Sequence, residues 1–126
     1  MLTFIKQPLD DFLGFDYERV SSNEVHVTLP LQPLHMNSVG VVHGGIISTM
    51  VDVAMSNLMD ADHSGVQRAV TIDLHTTFLQ GAKGSSLTAV AKMIKTGRTL
   101  MFADCHVMND EDVLVARATG TFFVRQ

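Results

Sequence analysis

Residues 35–59, HMNSVGVVHGGIISTMVDVAMSNLM, constrain this chain more than any other stretch: a polar loop runs into a helix that is apolar almost all round. Asn37, Ser38 and Gly40 are loop residues, Gly44 and Gly45 follow His43, and from Ile46 the pattern is helical, stopping near Asp60. Ile47, Met50, Val51, Ala54 and Leu58 recur at spacings of three and four, so they share one face. Ile46, Val53 and Met55 make the other side apolar too. A helix of that kind belongs in a core rather than on a surface. One polar stripe interrupts it, formed by Ser48, Asp52 and Ser56. A carboxylate in such a place is costly unless something binds or uses it. At the other end, the first amides of a helix lack intrahelical partners, and the helix dipole favours negative charge there. The segment thus holds an acid on a buried helix and, about two turns earlier at Gly44 and Gly45, an anion-favouring helix start.

The rest of the chain reads as strands around that helix. Residues 8–13 form a short helix stopped by Gly14, and strands follow over 15–20 and 24–29, joined by the turn residues Ser21, Ser22 and Asn23. In the second strand Val25, Val27 and Leu29 point in. Pro30 and Pro33 end regular structure before the loop. Four strand-like runs occupy 68–79, 87–95, 99–108 and 113–125. The first puts Val70, Ile72, Leu74, Thr76 and Phe78 on one face and Thr71, Asp73, His75 and Thr77 on the other. The last puts Leu114, Ala116, Ala118, Gly120, Phe122 and Val124 on one face. Residues 80–85 read as a turn or bulge, Thr96-Gly97 as a hairpin turn, and 109–112 as a further turn. Short connections imply antiparallel pairing. The expectation is one α+β domain over 1–126, an antiparallel sheet of about six strands wrapped around one long central helix. One small sheet does not cover both sides of that helix, so a second subunit is the natural further cover.

Charge and composition exclude several function classes. The net charge of −4 argues against nucleic acid as a partner. No window approaches the roughly 18 apolar residues of a membrane span. Residues 1–11 lack the apolar run of a secretory signal, and a single cysteine, Cys105, fits a reducing compartment, so a cytoplasmic location is expected. Cys105 alternates with Met101, Ala103 and Val107 and reads as core. The histidines show no metal spacing, HExxH is absent, and there is no G-x-S-x-G elbow, P-loop or dinucleotide fingerprint; no metal site is expected. Lys83, Lys92, Lys95 and Arg98 form an acid-free run in an otherwise acidic chain, either a solvated face or a phosphate site.

Asn37, His43, Gly44, Gly45 and Asp52, at these spacings, resemble the motif of the hotdog-fold acyl-CoA thioesterases of the phenylacetate-degradation subfamily. The resemblance covers nearly the whole chain. It implies a hotdog fold, hydrolysis of an acyl- or aryl-CoA thioester, and a dimer, often paired into a tetramer, with active sites between subunits. By resemblance Asp52 is nucleophile or general base, and the Gly44 amide polarises the thioester carbonyl. His43 orients the thioester or its loop, Asn37 the attacking water or the acyl carbonyl, and Thr71 positions water beside the acid. Gly45, Phe78, Lys83, Lys95, Gly97 and Arg98 are the expected substrate and CoA contacts. Coenzyme A enters as part of the substrate, and no separate cofactor is implied. Two alternatives stay open at this point: a hotdog hydratase or dehydratase using a His and an acid, and a non-catalytic acyl-ligand-binding protein on the same fold.

Overall fold

The structure, a computed structural model, describes residues 4–126. Its elements run α1 (Pro8–Leu13), β1 (Asp16–Ser21), β2 (Glu24–Pro30), a 3-10 turn (Pro33–His35), α2 (Gly44–Ser56), β3 (Ala69–Phe78), β4 (Ser86–Thr96), β5 (Leu100–Asn109) and β6 (Leu114–Val124). The six strands make one antiparallel sheet in the order β1-β2-β4-β5-β6-β3. α2 packs across one face of it.

Local chemistry accounts for the helix ends. Pro8 opens α1, where a missing N–H costs nothing. The Asp10 carboxylate accepts from the Gln7 amide (2.9 Å), and Gly14 closes the helix at φ +94°. α2 starts at Gly44, two residues earlier than the apolar periodicity suggests, because His43 caps it. It ends at Ser56, short of Asp60. The reason is Asn57, which is buried: its Nδ2 donates to the Val53 carbonyl (2.9 Å) and its Oδ1 accepts from the Ile5 amide (3.1 Å). That pair of bonds turns the last helical turn toward the N-terminal segment.

The core lies between α2 and the sheet. Ile47, Met50, Val51, Ala54 and Met55 are buried on α2. Met55 therefore belongs to the sheet-facing side, contrary to the sequence reading, and the outward side keeps only Ile46 and Val53 as half-buried apolar residues. Opposite them stand Val25, Val27 and Leu29 of β2 and a run of small residues on the central strands, Ala89, Ala91, Ala103, Ala116 and Ala118. Small side chains let the helix lie close. At Gly120 a Cβ would come 2.7 Å from Phe122 and 3.1 Å from Met55. Cys105 is buried in this layer, and desolvation pushes its thiol up to about 12, so it carries no thiolate for chemistry. His35, fully buried, fixes the 3-10 turn to the end of α1: its Nδ1 accepts from the Gln32 amide (3.0 Å) and its Nε2 donates to the Leu13 carbonyl (2.8 Å).

Two features depart from the linear reading of the strands. First, β3 and β4 are not neighbours; β3 pairs with β6 at the sheet edge, and β4 inserts between β2 and β5. Residues 79–85 are thus a crossover rather than the turn or bulge read from the sequence over 80–85. The crossover is tied along its length by Leu79 N–H to Val115 O, by Ala82 O accepting from Val42 N–H, and by Ser85 O accepting from Leu31 N–H. Asp110 accepts from the Ser85 amide (2.9 Å), which holds its carboxyl below the usual range. Second, β3 has a bulge between Thr71 and Asp73. Thr71 stands opposite buried Phe122, while Leu74, Thr76 and Phe78 stand opposite Gly120, Ala118 and Ala116. Opposed residues of an antiparallel pair point to the same face, so Thr71 shares the helix side with Leu74, Thr76 and Phe78. Strict alternation had put it on the far side, because one extra residue inverts the parity of everything beyond it. A similar irregularity pairs Leu114 with Met108, so Leu114 leaves the Ala116–Phe122 face.

Candidate active site

The bulge in β3 is what assembles the first half of the site. With Thr71 turned toward α2, its hydroxyl donates to Asp52 Oδ1 at 2.6 Å. Asp52 is half-buried on the polar stripe of the helix, and its second oxygen is left open to the adjoining cleft. That cleft, about 230 Å³, is walled by Val53, Ser56 and Asn57 of the helix end, Gln67 and Ala69 before and at the start of β3, and Ile5, Gln7 and Asp10 from the N-terminal segment. Asp10, Gln7 and Gln67 were not singled out in the sequence. Gln7 and Asp10 lie far from the motif along the chain, and the packing of the N-terminal segment over the end of α2 brings them to Asp52, while Gln67 arrives with the start of β3.

The second half lies at the start of α2. The Gly45 amide donates to His43 Nδ1 (3.0 Å), and the Ile46 and Ile47 amides both reach the His43 carbonyl (3.0 and 3.3 Å). Gly44 alone of these first amides has no acceptor among the described residues. It faces the Phe78 ring from the end of β3, 3.3 Å from where a Cβ would stand. The loop before it is held by Asn37, whose Oδ1 accepts from the amides of Val39 and Val41 (3.0 and 3.2 Å). Asn37 is therefore an Asx-type staple of the loop, with only its NH₂ left to face outward.

The two halves do not meet within one chain. Gly44 and Asp52 sit eight residues apart on one helix, which is about 12 Å along its axis. A thioester carbonyl polarised by the Gly44 amide is out of reach of the Asp52 carboxylate of the same chain.

The basic run is divided in the same way. Lys83 follows Ala82 at the Gly44–Phe78 end of the sheet, whereas Lys95, Gly97 and Arg98 lie at the far end of β4. The register Thr96–Met101–Phe122–Thr71 across four strands puts that turn at the same end as Thr71. The length of β4 alone separates Lys83 from Arg98 by roughly 33 Å, so the run is two sites and not one patch. Lys92 faces Glu24 (3.9 Å). Lys83, Lys95 and Arg98 have no carboxylate partner among the described residues. Among those residues no group of three or more His, Cys, Asp or Glu could hold a metal ion, and no helix is long and apolar enough to cross a membrane.

Comparisons with known proteins give the family and the fold. The model of the thioesterase superfamily matches residues 39–116. The chain is 25 % identical over 132 residues to the medium/long-chain acyl-CoA thioesterase YigI of Escherichia coli K12, covering 93 % of this chain and 85 % of that one. A Bacillus halodurans protein whose structure was solved with CoA is 31 % identical, with a TM-score of 0.84 over 96 % of this chain and 80 % of its own. A conserved Pseudomonas aeruginosa protein, 24 % identical, superposes with a TM-score of 0.83 over 95 % of each chain and shares the fold.

Proposed function

The chain belongs to the thioesterase superfamily, has the hotdog fold and is a thioester hydrolase, and we propose that it cleaves an acyl-CoA to the free carboxylic acid and CoA in a site shared by two copies of the chain. The observation that carries this reading is the split geometry: an acid oriented by Thr71 in the C-terminal half of α2, and at its start a Gly44 amide without a partner among the described residues.

The β3 edge supplies a way to join them. It is long, lacks a neighbour on one side among the described residues, and exposes Val70 and Ile72. Unprotected edges of this kind invite pairing with another chain. The opposite edge, β1, is shorter and carries Asp16, Glu18 and Arg19. A two-fold axis through the middle of β3 pairs the two edges antiparallel. The Thr71 end of one strand then lies beside the Phe78 end of the other, and Asp52 of one chain faces Gly44 of its mate. The same operation brings Lys83 of one chain to the end that holds Lys95 and Arg98 of the other.

In that site the Gly44 N–H donates to the thioester oxygen and stabilises the charge that develops on it. Thr71 holds one oxygen of Asp52, and the other acts on the reacting centre. Asp52 either takes the proton of the attacking water or attacks the carbonyl carbon itself and is then released by water. In both routes the C–S bond breaks, the sulfur leaves as the CoA thiol, and an oxygen from water ends in the product acid.

A panel of acyl-CoA esters assayed with a thiol-detecting reagent tests the reading directly. Release of free CoA thiol is expected. A change in enoyl absorbance with no thiol would make the protein a hydratase, and neither signal a binding protein; both overturn the proposal.

The cations give a second expectation. Exposed Lys or Arg contacts to phosphate are individually worth about 1 kcal/mol or less and are screened by salt. Lys83→Ala and Arg98→Ala should therefore each raise KM for acyl-CoA several-fold with kcat little changed, the mark of lost ground-state binding. A short thioester lacking the nucleotide should not discriminate these variants from wild type. Unaltered KM and unaltered salt dependence would make the run a solvated face.

A further inference from the structure

We infer that His43 is a positioning residue whose neutral ring holds the Gly44 amide outward as the donor to the thioester oxygen, and that protonation of the ring releases that hold; this rests on the thioester-hydrolase reading and places a proton-controlled step in the assembly of its site. Three bonds converge on His43. Its Nδ1 accepts from the Gly45 amide (3.0 Å), and its carbonyl accepts from the Ile46 and Ile47 amides (3.0 and 3.3 Å). The His43 carbonyl and the Gly44 N–H belong to one trans peptide unit, so they point in opposite directions. With the carbonyl turned into the helix, the Gly44 N–H is turned away from it. Glycine has no Cβ to restrict its backbone, so two in succession leave this helix start dependent on its cap. Gly45 in turn makes room for the ring: a Cβ there would stand 3.2 Å from Nδ1 and 3.4 Å from Cε1.

Because Nδ1 accepts, the neutral ring carries its proton on Nε2. That Nε2–H has no acceptor among the described residues, and the exposed ring borders a cavity of about 380 Å³ beside Leu9, Leu13, Leu34 and Met36. A second proton can go only on Nδ1. There it would meet the Gly45 N–H donor to donor, and its charge would sit at the positive end of the α2 dipole. The cap then opens. No charged group stands by to hold the imidazolium in place. The cavity wall drawn from α1, the 3-10 turn and α2 carries no Lys, Arg, Asp or Glu. On α1, Asp10 is bonded to the Gln7 amide, and neither it nor Asp11 lines the cavity. On the 3-10 turn, the His35 carbonyl accepts from the His43 amide (2.8 Å), while both His35 ring nitrogens are bonded elsewhere. From β3 comes Phe78, uncharged, against Gly44.

The experiment measures kcat and KM for an acyl-CoA between about pH 5 and 8, the range in which histidines titrate, on wild type, His43→Ala and His43→Asn, with a melting curve at each pH as the fold control. His43→Ala should lower kcat at neutral pH about ten- to hundredfold, part of what a lost oxyanion donor costs, with KM within a few-fold of wild type. Asparagine caps helices well and takes up no proton in this range, so His43→Asn should recover most of that loss. Wild-type kcat should fall toward acid through the histidine range. In His43→Asn that limb should vanish, the fall starting roughly two units lower, where carboxylates protonate. In ¹⁵N-resolved NMR spectra the Gly44 and Gly45 amides should move with pH in wild type and stay still in His43→Asn. An asparagine variant no better than alanine, a pH profile unchanged by the substitution, or glycine amides that ignore pH in wild type overturns the role of His43 while leaving the hydrolase reading intact. Amides that follow pH as expected, with no thiol released from any ester at any pH, keep the cap and overturn the hydrolase reading instead.

Discussion

Asp52→Asn is expected to lower kcat for acyl-CoA hydrolysis by a factor of about 10²–10⁴, the range typical of a lost general base. Asparagine has the shape of aspartate and still offers Oδ1 to the Thr71 hydroxyl, so the 2.6 Å contact, the helix and the assembly all have reason to survive. What disappears is the negative charge and basicity of the second oxygen. KM should change little, because the loss falls on the transition state and not on the bound ester. A folded Asp52→Asn protein that turns over within a few-fold of wild type would remove this residue from the chemistry.

The second large effect concerns the Gly44 amide, and it can be tested without disturbing the helix. Gly44 is the first residue of α2, the position where proline is well tolerated, and proline has no N–H to donate. The preceding residue must then be extended, and His43 already is, at φ −58° and ψ 131°. Gly44→Pro should cost about 10²–10³ in kcat, as for loss of one oxyanion donor. Gly44→Ala keeps the N–H and asks only that the exposed Phe78 ring yield a little, so it should retain most of the activity. Because the shared-site reading puts Gly44 and Asp52 of one site on different chains, two inactive proteins should rescue each other. After subunit exchange, equal amounts of Gly44→Pro and Asp52→Asn chains give half mixed dimers, each with one intact site, and about a quarter of wild-type activity should return. If verified mixed dimers stay inactive, one chain supplies both groups and the two-fold arrangement is wrong.

Much of the fold could be read before any coordinates. The apolar face of α2, the inward residues of β2 and the turn at Ser21–Asn23 follow from periods of 3.6 and 2 and from turn chemistry, all of them local properties of consecutive residues. The motif residues were legible for the same reason. His43, Gly44 and Asp52 lie on one helix, so their spacing in sequence is their spacing in space, and that spacing already says they are too far apart to share one carbonyl.

What the linear pattern left open was decided by contacts between distant residues. Thr71 reads as outward until the bulge beside Ile72 inverts its face, and no period-2 count carries that information, because a bulge is settled by the partner strand as much as by the bulged one. α2 stops at Ser56 because the buried Asn57 side chain binds a backbone amide 52 residues earlier in the chain. Lys83 and Arg98 share an acid-free run, yet the extended β4 between them carries them to opposite ends of the sheet. The crossover after β3 leaves that strand at the edge of the sheet, unpaired on one side among the described residues. The sequence by itself determined which groups the chain owns and which helix carries them. Only the tertiary structure decided which of those groups meet, because hydrophobic periodicity reports the side of an element that is buried, while strand order, register and helix ends are set by partners far away in the chain.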